Sequence, residues 1–193
     1  MDGTKRALRR ERLAARRAVP PATRAARDAA IVAALRGLPE LTGAGRVLAF
    51  AALPGEPDLA ALLATPPDGC ELLLPRVEGA SLVAVPHPPA AALSPGALGV
   101  AEPSGPAVPL TTLDAVVLPG VAFDAACWRL GRGGGHYDRL LAAVADGTVA
   151  IGVADEEAVL PRVPREPHDR PVDVLVTDAA VRRRDTTGGA GAA

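Results

Sequence analysis

The sequence predicts an α/β fold: a mostly parallel sheet with helices on both faces. Three observations point to it. Short continuous apolar runs, Arg46–Ala52 and Leu113–Leu118, have the character of buried strands. These runs alternate with amphipathic helical segments, the order expected of helices packed on a parallel sheet. Finally, 193 residues suit one domain with a sizeable core, and aromatics are so few that this core must be built from Leu, Val, Ile and Ala.

The elements follow in order. Thr4 is placed to cap a helix through about Arg17, ending before Pro20-Pro21. On it, Lys5, Arg9, Arg12 and Arg16 share one face, which reads either as a solvated basic surface or as a phosphate-binding stripe. Lys5 is the only lysine in a chain whose other basic residues are arginines, a hint that it has a task. Thr23–Leu38 reads as a second helix, with Ile31, Ala34, Leu35 and Leu38 on one side. The strand Arg46–Ala52 runs into Leu53-Pro54-Gly55-Glu56-Pro57-Asp58 and then a short helix, Leu59–Ala64. Glu56 there is either a helix cap or a ligand. Glu71–Pro75 and Ser81–Val85 are further strands. Pro86–Pro109, rich in Pro, Ala and Gly, is expected to hold little regular structure, with His87 exposed in it. Leu113–Leu118 is the central strand, Tyr137–Val144 a helix, and Thr148–Val153 and Val172–Thr177 the last strands. His168-Asp169, before the final strand, is a turn, a cap or part of a site. The domain is expected to span residues 1–184, with a disordered low-complexity tail over 185–193.

The chain is organised around the stretch from Leu118 to Leu141. A strand is followed there by Gly131-Arg132-Gly133-Gly134-Gly135, flanked by Arg129 and by His136-Tyr137-Asp138-Arg139, and then by a helix. The glycine run alone fits a flexible surface loop. It also fits a phosphate cradle, because glycine lets backbone N–H groups approach an anion, and Arg129 and Arg132 can fork onto phosphate oxygens. The P-loop pattern, the dinucleotide fingerprint and the kinase motifs are absent. A net charge of −1 gives no large field to attract nucleic acid or an anionic membrane, and no apolar run approaches the ~20 residues of a membrane span. The charged N-terminus lacks a signal-peptide pattern, and Cys70 and Cys127 form no metal or redox spacing. These features lead to the expectation of a cytoplasmic protein with reduced thiols.

The segment FD-x-x-x-x-RLGRGGG-x-YDR-x-L, over Phe123–Leu141, resembles the signature of the 5-formyltetrahydrofolate cyclo-ligase family. Lys5-Arg6-Ala7-Leu8-Arg9 is similar to its K-x-x-L-R element. Leu74-Pro75-Arg76, Gly99-Val100-Ala101-Glu102-Pro103 and His168-Asp169 follow in the family's order. The resemblance implies a three-layer α/β/α sandwich like the ribose-phosphate isomerase and CoA-transferase group. It also implies ATP- and Mg²⁺-dependent closure of 5-formyltetrahydrofolate to 5,10-methenyltetrahydrofolate, with release of ADP and phosphate. It assigns ATP to Lys5, Arg6, Ala7, Leu8 and Arg9, and to Arg129, Leu130, Gly131, Arg132, Gly133, Gly134, Gly135, His136 and Tyr137. It assigns the folate to Ala51, Glu56 and the loop Arg132–His136, catalysis to Arg132 and Lys5, and magnesium to Asp138 and Asp169. Glu102 is given a structural role. Tyr137 is either an orienting hydrogen-bond donor or a packed aromatic. A monomer or weak oligomer is expected, with no nucleic-acid or membrane partner. Three positions depart from the family pattern: Cys127 stands where glycine is usual, His136 where tyrosine or phenylalanine is usual, and Glu157 where glutamine is frequent. They leave open an alternative, a folate- or nucleotide-binding relative acting as a sensor or partner-binding protein. An isomerase or transferase relative independent of ATP is a weaker third reading.

Overall fold

In the computed structural model, residues 2–89, 91–96 and 99–185 are described; most of the expected tail lies outside them. Helix α1 (Asp2–Ala18) begins before Thr4 and stops at the Pro20-Pro21 pair. Pro21 opens α2 (Pro21–Arg36), where its missing N–H is not needed, and Gly37 closes it. A single turn, α3 (Pro39–Thr42), leads to strand β1 (Arg46–Leu48), and the short helix α4 (Ala60–Ala64) leads to β2 (Glu71–Glu78). Strand β2 turns back into β3 (Ser81–Pro86). The stretch expected to be irregular contains a small hairpin, β4 (Leu93–Pro95) with β5 (Ala101–Pro103).

The central strand β6 (Ala115–Pro119) is followed by β7 (Ala122–Asp124) and β8 (Arg129–Leu130), then α5 (His136–Leu141). Beyond it come β9 (Val149–Val153), β10 (Val159–Leu160), β11 (Val174–Val176) and β12 (Val181–Arg183). The main sheet has seven strands in the order β12-β11-β9-β6-β1-β2-β3. Its five inner strands are parallel, and an antiparallel strand lies at each edge. Strands β10, β7 and β8 form a separate small sheet.

Alternate residues of the parallel strands feed two cores. Val47, Ala115, Val117, Ile151 and Val153 pack with Ile31, Leu35, Leu59 and Leu62 from α2 and the α4 segment. Leu48, Val116, Leu118, Ala150 and Leu175 pack with Leu140 of α5 and Phe123 of β7. Each fully buried Leu or Ile contributes about 1.5–3 kcal/mol, so both sheet faces are covered by apolar contact. Helix α1 differs: among its described residues the buried ones are Lys5 and Arg16, and its Leu8 packs only partly, against the small cluster of Ala122, Leu130 and Val163.

The strand order explains where a ligand can bind. From β1 the chain moves to β2 on one side, whereas β6 pairs with β1 on the other. The segments leaving the carboxyl ends of β1 and β6 therefore diverge, which opens a crevice at the switch point of the sheet. The expected strand Arg46–Ala52 ends at Leu48 for the same reason. After Ala49 donates to Leu73 the chain leaves the ladder, and Phe50 and Ala51 become wall residues of that crevice.

Candidate active site

The crevice is a pocket of about 400 Å³. Phe50, Ala51, Leu53 and Glu56 enter it from the segment after β1, and Pro119 and Gly120 from the end of β6. Pro75, Val77 and Leu82 of the β2–β3 hairpin form one apolar wall, with Val100 and Glu102 beside them. Arg129, Arg132, Gly134, Gly135, His136, Tyr137 and Asp138 close the opposite side. Ala51 and Glu56 thus meet the glycine loop in one cavity, but Asp169, expected in the same cleft, is not among its lining residues. The Pro75–Leu82 wall was not anticipated. Its one sequence signal was the Leu-Pro-Arg element at the end of an apolar run.

Glu56 is buried and has two engagements. Its Oε2 accepts from the Leu53 backbone N–H at 3.0 Å, closing the turn that carries it, and its Oε1 accepts from Arg132 Nε at 2.8 Å. It does not cap α4, whose N-cap is Leu59; Asp58, just before that cap, accepts from the Ala60 N–H at 2.9 Å. The Arg132 side chain is 38% exposed, so its guanidinium is available at the pocket mouth.

Arg129 departs from expectation. It lies beneath the loop, donates to Asp138 Oδ1 at 2.6 Å and stacks 5.8 Å from the Tyr137 ring, so it is a buried support and not an open phosphate fork. Leu130 likewise turns its side chain into the small core cluster. Burial pushes the Tyr137 phenol well above its ordinary pKa, with Glu56 adding to the shift, so it stays protonated as a donor at the pocket wall.

The loop needs its glycines. Gly133 and Gly135 adopt φ +106° and +65°, and the Arg9 guanidinium carbon is 3.4 Å from where a Gly133 side chain would begin. Arg9 also donates to the Gly131 carbonyl at 2.9 Å. The α1 stripe is therefore docked, not solvated. Lys5 sits on the 166–169 turn, Arg9 on the glycine loop, Arg12 on the Glu157 carbonyl and Arg16 on the Gly120 carbonyl. Arg6 and Ala7 lie on the exposed side of the helix, away from that stripe.

Lys5 Nζ donates to Glu166 Oε2 and Asp169 Oδ2, both at 2.7 Å. Burial works against its charge, but the bonds and charges of Asp169 and Glu166 outweigh burial and hold its pKa above the ordinary value. Asp169 also accepts from the Glu166 backbone N–H, which fixes the turn. Glu166 was missed in the sequence, where only its position two residues before His168-Asp169 marks it. One donor atom each from Glu166, His168 and Asp169 lies within 4.8 Å of the others. That cluster groups Asp169 with Glu166 and His168, while Asp138 is held by Arg129.

The three departures resolve differently. Cys127 is buried with φ +63°, the left-handed backbone that glycine adopts without cost, so the local path is the glycine-like one. His136 lines the pocket. Glu157 is outside it, paired with Arg27 at 2.6 Å. Two further corrections concern loops. His87 is buried, not exposed, and burial lowers its pKa. Glu102 accepts from the Val77 N–H at 3.3 Å, consistent with a supporting role, yet also lines the pocket. No helix among the described residues is long and apolar enough to cross a membrane.

Comparison with known proteins bears on this site. A family model described as the 5-formyltetrahydrofolate cyclo-ligase family matches residues 1–178. A 5-formyltetrahydrofolate cyclo-ligase of Mycolicibacterium smegmatis is 35% identical over 176 residues, covering 86% of this chain and 89% of the relative. The solution structure of 5,10-methenyltetrahydrofolate synthetase from Aquifex aeolicus superposes with a TM-score of 0.82 at 36% identity, over 98% of this chain and 96% of that one. The synthetase of Mycoplasma pneumoniae shares the fold, with a TM-score of 0.72 at 19% identity over 90% of this chain and 98% of that one.

Proposed function

This chain belongs to the 5-formyltetrahydrofolate cyclo-ligase family, and we propose that its crevice carries out the ATP-dependent ring closure of 5-formyltetrahydrofolate to 5,10-methenyltetrahydrofolate. One observation carries the reading. The Glu56–Arg132 pair joins an apolar pocket to a glycine loop, and the same loop is touched from outside by Arg9 of the Lys5–Arg9 helix. A flat apolar ligand with a polar edge and a phosphate chain can meet at that junction.

The folate lies in the pocket, where Ala51 and the hairpin wall take its ring and Glu56 accepts hydrogen bonds from the amino-pyrimidine edge. The phosphates lie along the glycine loop that carries Arg132 and is touched by Arg9, with Lys5 one turn earlier on the same helix as Arg9. The formyl oxygen attacks the γ-phosphorus and ADP leaves. This converts a poor leaving group into a phosphate ester on the formyl carbon. N10 then attacks that carbon, loses its proton, and phosphate departs as the ring closes. Arg132, placed at the mouth between the two ligands, neutralises the transferring group, and Tyr137 orients the substrate as a neutral donor. Lys5 supports the phosphates by exchanging Glu166 and Asp169 for phosphate oxygens.

Magnesium fits the donors present: Asp138 and Asp169 each commit one carboxylate oxygen to a cation of the chain, and among the described residues the second carries no hydrogen bond. Asp169, beside Glu166 and His168, and Asp138, beside Arg129, would each offer that oxygen to magnesium bound with the phosphates, where it would neutralise their charge. Residues 1–184 are read as one domain, and the sheet as a variant of the ribose-phosphate isomerase and CoA-transferase arrangement.

The non-catalytic alternative rested on Cys127, His136 and Glu157. With Glu157 outside the pocket and Cys127 in a glycine-like conformation, it keeps only His136. The test is the absorbance of the methenyl product when purified protein is mixed with 5-formyltetrahydrofolate, ATP and Mg²⁺. A rise that needs all three is expected, and Asp169→Asn should require more magnesium for it. ATP binding without any rise would overturn the catalytic reading.

A further inference from the structure

Arg16 has no part in the chemistry above, yet its placement is unusual. It is 6% exposed. Nη2 donates to the Gly120 carbonyl at 2.6 Å, while Nε and Nη1 are buried without a partner. A guanidinium buried in this way is costly unless its charge does something for its neighbours. Burial pushes its pKa down, and the carboxylates of Asp155 and Glu56 work in the other direction, against Arg132. A small cavity of about 50 Å³ is lined by Arg16, Arg12, Asp155 and Glu157, none of which lines the crevice.

The groups Arg16 braces belong to the crevice. Gly120 follows β6 and forms part of its wall. Gly55 precedes Glu56 in the turn after β1, and the Arg16 Cβ is 3.7 Å from where a side chain at Gly55 would begin. Arg16 thus stands behind the two diverging segments that define the switch point. Its positive charge acts on Glu56, which is also the ion-pair partner of Arg132.

We propose that Arg16 is a positioning residue for folate binding: it ties the segment after β6 to the turn after β1 and keeps Glu56 in register with Arg132. This rests on the reading of Glu56 as the folate-binding carboxylate. Arg16 touches neither ligand. Its loss loosens the Glu56 turn and leaves the phosphate side, built on the glycine loop and Lys5, intact.

The test compares steady-state KM values for 5-formyltetrahydrofolate and ATP in the parent protein, Arg16→Gln, Arg16→Lys and Glu56→Gln. Arg16→Gln is expected to raise the folate KM about tenfold, the worth of one charge-assisted hydrogen bond, with kcat and the ATP KM within about twofold. Arg16→Lys, which keeps the charge on a shorter and differently shaped head group, is expected to recover part of that loss. A merely structural arginine would lower thermal stability and leave the folate KM unchanged, which overturns the proposal. If Glu56→Gln raises the folate KM and Arg16→Gln does not, this inference alone falls. If Glu56→Gln leaves it unchanged, the site reading falls first. Should Arg16→Gln fail to fold, Arg16→Lys decides: a rise of about threefold supports the proposal and no rise overturns it.

Discussion

The crevice between β1 and β6 and the corner beneath the start of α1 are built in opposite ways. The crevice is walled by strand ends and a hairpin, with apolar surface and two ion pairs among its lining residues, Glu56–Arg132 and Arg129–Asp138. The corner is charge on charge, with Lys5 seated between Glu166 and Asp169. A pocket shaped by packed backbone keeps its form without ligand. A corner made of exchangeable ion pairs holds its cation in place until phosphate oxygens take over its partners. On the proposed reading, the rigid ring of the folate goes to the first and the charged tail of ATP to the second.

Arg132 stands between the two regions, so its loss should have the largest effect. Arg132→Ala is expected to lower kcat by about 10²–10³-fold, the scale of losing one transition-state donor. Near-normal turnover would break the link between crevice and loop. A smaller effect concerns the charged residues alone. Hydrogen bonds from Arg182 and Thr177 hold the Glu156 carboxyl below its ordinary 4.5. A depressed carboxylate contributes stability that is present above 4.5 and lost as pH falls through its folded value. The Tm of Glu156→Gln should therefore fall less steeply than that of the parent below pH 4.5. Parallel curves would remove this pair from the account. The smallest effect is at Cys127. A left-handed L-residue costs about 1–2 kcal/mol, so Cys127→Gly should be no less stable than Cys127→Ala in a denaturant titration. This would reverse the usual rank at a buried site.

The crevice and the corner were not equally legible in the sequence. Glycine spacing, the single lysine and Glu56 after a strand mark local chemistry, and the structure brings Glu56 and the glycine loop into one cavity. What was hidden depends on contacts across the chain. Lys5 and Glu166 are 161 positions apart, and Arg16 and Gly120 are 104 apart. No local pattern announces such pairs. Arg129 looked like a phosphate fork because its neighbours are glycines, but the fold tucks it under the loop against Asp138. Strands β7, β8 and β10, two or three residues each, are too short for any hydrophobic period to register.

The division of labour between the two regions is tested most directly by two substitutions and two Michaelis constants. Glu56→Gln should raise the KM for 5-formyltetrahydrofolate about tenfold with little change for ATP, and Lys5→Met should do the reverse. Both variants moving the same constant, or each moving both alike, would contradict a folate crevice and a nucleotide corner built as separate sites.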